Sequence, residues 1–145
     1  MIICAGRNEV FPFADAIGVG LIESAINLTR ICLFNKPEYL LFIGSAGSYG
    51  EHKIFDIVES KRASNIELGF LTQSAYTPLD NVLESENKFA RNDTIVNSSN
   101  YISTNESLCK EFLDYGVGIE NMEFFSILSV AKEFEIPVAG IFVVT

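Results

Sequence analysis

The sequence predicts an α/β fold, a three-layer αβα sandwich around a central mixed, mainly parallel sheet. Three observations carry this. Short apolar runs closed by glycine alternate with stretches of helical period, the interleaving that builds a sheet with covering helices. Tyr39-Leu40-Leu41-Phe42-Ile43 and Val138–Thr145 are continuously apolar, as strands covered on both faces are. The chain has 145 residues, 48% of them hydrophobic, enough for one domain over residues 1–145 with a sizeable core.

Taken in order, Met1–Gly6 reads as a first buried strand closed by glycine. Ala14–Val19 leads into Gly18-Val19-Gly20, after which Ile22, Ala25, Ile26, Thr29, Cys32 and Leu33 recur at helical spacing and form one apolar face. Asn35-Lys36-Pro37 stops that helix, because proline disfavours helical geometry in the residue before it. Tyr39–Ile43 is the next strand, and Ile54–Ser60 and Ile66–Thr72 read as two more, the second with period-2 character. Gln73–Asp93 is polar, contains Pro78 and reads as a loop or short insertion. Thr94-Ile95-Val96 restores a strand signal, and Asn105–Tyr115 suits a short helix. A second helix starts near Asn121, with Phe124, Ile127, Leu128, Ala131 and Phe134 on one stripe. Pro137 follows, and Val138–Thr145 is the last strand. The sequence stops inside that strand pattern, so the expectation is a domain lacking its C-terminal helix. No internal repeat or low-complexity segment stands out.

Charge narrows the partners. Ten Lys and Arg against 19 Asp and Glu give a net charge of −9 and a pI near 4.5, which disfavours phosphate backbones and anionic lipid. Mean hydropathy of +0.26 argues against disorder. Apolar runs fall short of the roughly 18 residues that span a bilayer. Cys4, Cys32 and Cys109 are too widely spaced for a disulfide framework or zinc site. The expectation is a reduced, cytoplasmic protein with no metal, no nucleic acid and no membrane partner.

Several motifs could carry chemistry. Gly18-Val19-Gly20 opens a helix, so its N–H groups and the helix dipole either face an anion or hydroxyl or make a tight strand–helix junction. Glu23 stands where the dinucleotide fingerprint needs its third glycine, which excludes that cofactor class. Gly44-Ser45-Ala46-Gly47-Ser48-Tyr49-Gly50 lets main chain approach a ligand and offers two hydroxyls, or simply connects two strands; no Lys follows, which excludes a Walker loop. Glu120-Asn121-Met122-Glu123 places a carboxylate at a helix start, where it can accept hydrogen bonds from a diol, or where Asn121 and Glu123 merely cap the helix. Arg7 and Glu9 follow the first strand at the carboxyl end where open α/β sheets bind ligands, Arg7 suited to an anion and Glu9 to positioning water, or both are solvated loop charges. His52, the sole histidine, has no nucleophile partner and reads as an exposed loop residue.

Together these segments resemble the nucleoside phosphorylase/nucleosidase superfamily. The matching residues are Gly18-Val19-Gly20, Lys36-Pro37-Glu38, Gly44-Ser45-Ala46-Gly47, Phe55-Asp56-Ile57-Val58, Asn100-Tyr101-Ile102, Asn121-Met122-Glu123 and Ile136-Pro137-Val138, in shared order and spacing. The resemblance covers residues 15–63 and 97–145, is loose over 1–14 and absent over 64–96. It implies cleavage of the N-glycosidic bond of a purine nucleoside. In that reading Glu123 holds the ribose hydroxyls and Met122 packs beside the sugar. Tyr101 is the base platform with Ile102 adjacent, and Ser45 and Gly47 form the turn for phosphate or attacking water. No cofactor is implied, apart from phosphate as co-substrate in a phosphorylase.

Three departures shape the expectation. Phe42 stands where phosphorylases carry an Arg, which favours water as nucleophile and a hydrolase; Arg7 is the alternative phosphate group. Asn121 replaces a further Glu of the hydrolases, so Glu9 is the candidate that activates water. The Asp that protonates the base aligns just beyond Thr145. The alternatives are a phosphorylase, a catalytically weak nucleoside-binding protein and a structural α/β domain with no small-molecule site. The resemblance, and apolar stripes that so short a chain leaves uncovered, also imply a homo-oligomer.

Overall fold

Strand order follows the alternation read from the sequence. The computed structural model describes residues 1–145 and gives β1 (Ile2–Cys4), β2 (Asp15–Ala16), α1 (Gly20–Phe34), β3 (Leu40–Ser48), β4 (Ile57–Ser60), β5 (Arg62–Ser64), α2 (Leu68–Leu71), β6 (Val82–Glu84), β7 (Ile95–Asn97), α3 (Glu106–Asp114), β8 (Val117–Glu120), α4 (Phe124–Glu133) and β9 (Val138–Val144). One nine-stranded sheet runs β2-β1-β3-β8-β7-β5-β6, with β9 paired to β3 and β4 paired to β9. Five of the eight pairings are parallel, so the sheet is mixed and mainly parallel as expected.

β3 organises the sheet because it changes neighbours along its length. Leu40–Ala46 pairs in parallel with Val138–Val144, and then Gly47 and Ser48 pair antiparallel with Glu120 and Ile119. The glycine-rich segment read as a turn is therefore the end of a strand, whose small side chains face a cleft. Beneath it Phe42, Phe124 and Phe142, all fully buried, pack ring to ring with centroids 5.1 to 6.1 Å apart. Burial of each ring contributes roughly 1.5–3 kcal/mol.

Helices cover both faces. Leu28 and Cys32 of α1 and Phe124, Ile127, Leu128 and Ala131 of α4 join Val96 and Ile119 in the main core. Leu71 of α2 and Phe112 of α3 pack with Ile95 and Val117 in a second cluster. The register slips between the Ile95–Val117 and Val96–Ile119 pairs, leaving Gly118 as an extra residue in β8. That bulge turns Val117 and Ile119 to different faces.

Four sequence expectations need correcting. The stripe Ile22, Ile26 and Leu33 of α1 points outward, while Gly20, Ser24, Leu28 and Cys32 face the core. Ser24 is tolerated inside because its hydroxyl bonds the main chain of Gly20 and the hydroxyl of Ser126 in α4. Ile66–Thr72 is not a strand: Ile66 is fixed by the Asn97 side chain, its N–H donating to Oδ1 at 2.8 Å, and the chain then coils into α2. The strand of that region is Arg62–Ser64, paired with Val82–Glu84 inside the stretch read as a loop. Of Ile54–Ser60 only Ile57–Ser60 is extended, since the Lys53 N–H donates to the Asp56 carboxylate and folds the preceding residues into a turn. β8 was not legible at all, because glycines interrupt its short apolar pattern. No helix is long and apolar enough to cross a membrane.

Candidate active site

The ends of β1, β3 and β8 and the start of α4 surround a cavity of about 550 Å³. Glu9, Ser45, Gly47 and Met122 line it, with Glu123, Tyr101, Ile102 and Arg7 completing the set that the sequence brought forward. Gly18 is the exception. It adopts φ +100° against the Glu23 and Asn27 side chains, outside the cavity wall, because it shapes the junction ahead of α1 and does not meet a ligand.

The N-terminus of α1 does bind an anion, and that anion belongs to the chain. The Gly20 N–H donates to Oε1 of Glu123 at 2.8 Å across 103 residues of sequence. Its neighbours are engaged too: the Val19 N–H donates to Glu23 and the Leu21 N–H to Oδ1 of Asn100, at 3.0 and 2.9 Å. Gly20 has φ +81°, and a Cβ there would lie 2.7 Å from Asn100 Oδ1, so only glycine brings the main chain this close. Glu123 is 3% exposed. Burial pushes its carboxyl above the ordinary value of 4.5, the Gly20 N–H opposes this, and the nearby charge of Glu9 adds to the rise.

Glu9 sits opposite. Its Oε1 accepts from the Ser45 N–H at 3.2 Å and from the Ser45 hydroxyl. Its Oε2 is buried and bonds no protein group. A buried carboxylate oxygen without a donor is costly unless a ligand supplies one, which makes this atom a candidate for holding water or a substrate hydroxyl. The turn from Gly6 to Glu9, closed by a Glu9 N–H to Gly6 carbonyl bond of 3.0 Å, sets the side chain's direction. Arg7, half of a surface ion pair with Glu23 at 3.2 Å, stands at the rim.

Asn121 fastens the site together. Its Oδ1 accepts from the N–H groups of Glu123 and Phe124, both at 3.0 Å, and its Nδ2 donates to the Ser45 carbonyl at 3.1 Å. One side chain thus caps α4 and ties it to β3. Glu120, which sequence reasoning did not assign a role, also lines the cavity. Its Oε2 accepts from the Tyr49 hydroxyl at 2.9 Å and its Oε1 from the Ser103 N–H at 3.0 Å. A Cβ at Gly47 would lie 3.3 Å from the Glu120 side chain, so glycine there leaves room for it. The signal for Glu120 was its place beside Asn121 at a strand end. His52 is partly buried beside Glu51, not exposed, and lies outside the cavity. No cluster of His, Cys, Asp and Glu that could hold a metal ion is present.

No family model matches the sequence, and no curated protein matches it. The likeness lies in solved structures. A mutant of the Helicobacter pylori nucleosidase MTAN with 5'-methylthioadenosine in its active site aligns with a TM-score of 0.80 at 15% identity, over 99% of this chain and 83% of that one. The fold is that of the nucleosidases. Futalosine hydrolase of H. pylori gives a TM-score of 0.79 at 15% identity, covering 99% of this chain and 85% of its own. A putative 5'-methylthioadenosine/S-adenosylhomocysteine nucleosidase from Borrelia burgdorferi bound to adenine gives 0.69 at 18%, covering 90% and 65%. Sharing the nucleosidase fold at such identities speaks for architecture, and the chemistry must be argued from the cavity itself.

Proposed function

We propose that this chain hydrolyses the N-glycosidic bond of a purine nucleoside. One observation carries the reading: Glu9, anchored on Ser45 with one carboxylate oxygen unpartnered, and buried Glu123 line the same cavity as Tyr101 and Met122. Ionised Glu123 accepts hydrogen bonds from the ribose hydroxyls while its Gly20 bond keeps it aimed. Its charge favours the cationic, oxocarbenium-like sugar that forms as the bond to the base breaks. Glu9 Oε2 takes a proton from the attacking water, with Ser45 fixing the other oxygen. Tyr101 offers a ring face to the base. Thr145, next to which the resemblance places the group that protonates the leaving base, lines the same cavity. Two structures of this fold, the H. pylori nucleosidase mutant with 5'-methylthioadenosine in its active site and the putative B. burgdorferi nucleosidase bound to adenine, support the reading.

Water is favoured over phosphate as nucleophile. Phe42, at the place of the phosphorylase Arg, is wholly buried in the core, and the guanidinium of Arg7 is paired with Glu23. The test is base release from methylthioadenosine, adenosine, inosine and futalosine, each with and without phosphate. Release independent of phosphate is expected; release only with phosphate makes it a phosphorylase. Asn121 favours one second reading, a nucleoside-binding protein without turnover, because its carboxamide is committed to Ser45 and α4 and activates nothing. Stabilisation by nucleosides without base release would establish that. We also infer a homo-oligomer, since Ile22, Ile26, Leu33 and Phe34 of α1 are all more than half exposed. The three free cysteines are in keeping with the cytoplasm.

A further inference from the structure

We infer that the nucleoside this chain takes carries an apolar substituent on its base, seated in a second cavity beside the first. The inference rests on the nucleoside reading above. The second cavity, about 410 Å³, is walled by Ile66, Leu68, Leu71, Leu108 and Phe112. It shares Ser99, Tyr101 and Ile102 with the first. Glu9, Ser45, Met122 and Glu123 take no part in it, so the sugar end is remote and the base end is adjacent.

The walls of the second cavity are mainly apolar, and its one charged lining residue, Glu67, is exposed. Asn97 is 2% exposed and its carboxamide is committed. Its Oδ1 accepts from the Ser64 hydroxyl at 2.9 Å and the Ile66 N–H at 2.8 Å, and its Nδ2 donates to the Ile66 carbonyl at 3.0 Å. Leu68 and Ile102, by contrast, line the hollow while 55% and 70% exposed, apolar surface that a guest would cover.

The partition between the two cavities is one continuous unit. The Phe112 ring lines the second and stacks on Tyr49 at 4.2 Å and 9°. Tyr49 donates to Glu120, which lines the first, and Glu120 accepts from the N–H of Ser103, which lines the second. A hollow propped in this way is preformed, so filling it costs little reorganisation.

The test measures affinity of the purified chain for adenosine, N6-benzyladenosine and a 5'-butylthio-5'-deoxyadenosine by calorimetry. The benzyl compound is expected to bind about tenfold or more tightly than adenosine, from the apolar area it buries. Leu108→Trp, which fills the second cavity, should remove that gain and leave adenosine binding unchanged. Where that variant does not fold, Leu68→Gln at its exposed position serves the same comparison. Equal affinity for adenosine and the benzyl compound overturns the inference and leaves the nucleoside reading standing, as does a gain confined to the 5'-substituted compound. Failure of all three to bind overturns the nucleoside reading itself.

Discussion

Ser45 gives Glu9 two donors, its main-chain N–H at 3.2 Å and its hydroxyl, across 36 residues of sequence. The second carboxylate oxygen is thereby fixed in the cavity wall without a protein partner. Glu9→Gln keeps the shape and the acceptor for Ser45 but cannot take a proton. Base release should fall by roughly 10²–10⁴ while nucleosides still raise the melting temperature. Loss of both together would show that Glu9 shapes the site and does not act as its base.

Glu123→Ala should instead abolish the nucleoside-induced rise in melting temperature, because the ribose acceptor is gone. Glu123→Gln should retain the fold and lower kcat/KM by about tenfold or more, as expected for loss of charge-assisted hydrogen bonds of roughly 1.5–3 kcal/mol. Far-ultraviolet circular dichroism distinguishes these losses from unfolding.

The burial of Glu123 has a pH signature. Its carboxyl titrates above 4.5 in the native state, so between the unfolded value and the raised native one the folded protein binds the proton that the unfolded chain has released. Stability from this group is therefore present below that window and is lost as pH rises through it. Urea titrations from about pH 4 to about pH 8 should show this decline in the wild type and a flatter profile in Glu123→Gln.

Gly20→Ala should destabilise by about 1–3 kcal/mol, since alanine is strained at φ +81° and its Cβ would press on Asn100. The same shift moves the N–H that aims Glu123, so nucleoside affinity should fall more than stability alone explains. Chemical denaturation and ligand titration of one preparation separate the two effects.

Ile26→Asp, on the outward stripe of α1, should lower the sedimentation coefficient of a homo-oligomer without lowering helix content. An unchanged sedimentation coefficient would mean that this stripe is not an interface between copies.

Much of the architecture was legible because long apolar segments leave little choice. Leu40–Ile43 and Val138–Val144 are uniformly apolar and became the paired central strands, and Phe124, Ile127, Leu128 and Ala131 face the core as their spacing said. Periodicity misled at α1, since it reports that a helix has an apolar face but not whether sheet or solvent receives it. It failed at Ile66–Thr72, where a distant side chain, Asn97, sets the local conformation. The site was readable as a set of strand ends and helix starts. Its wiring was not: the Gly20–Glu123, Asn121–Ser45 and Tyr49–Glu120 bonds link residues at least 71 apart, and no local pattern encodes them.

The amides of Val19, Gly20 and Leu21 that lead into α1 are occupied from within, by Glu23, Glu123 and Asn100. These three are among the donors that clasp a phosphate in other α/β proteins, and here the chain's own side chains hold them. Three carboxylates, Glu9, Glu120 and Glu123, line the same hollow. On the reading proposed above, a 5'-monophosphate would meet a field set by these three carboxylates, against which Arg7, itself paired with Glu23, is the one lining cation, so uncharged nucleosides would be preferred to nucleotides by electrostatics.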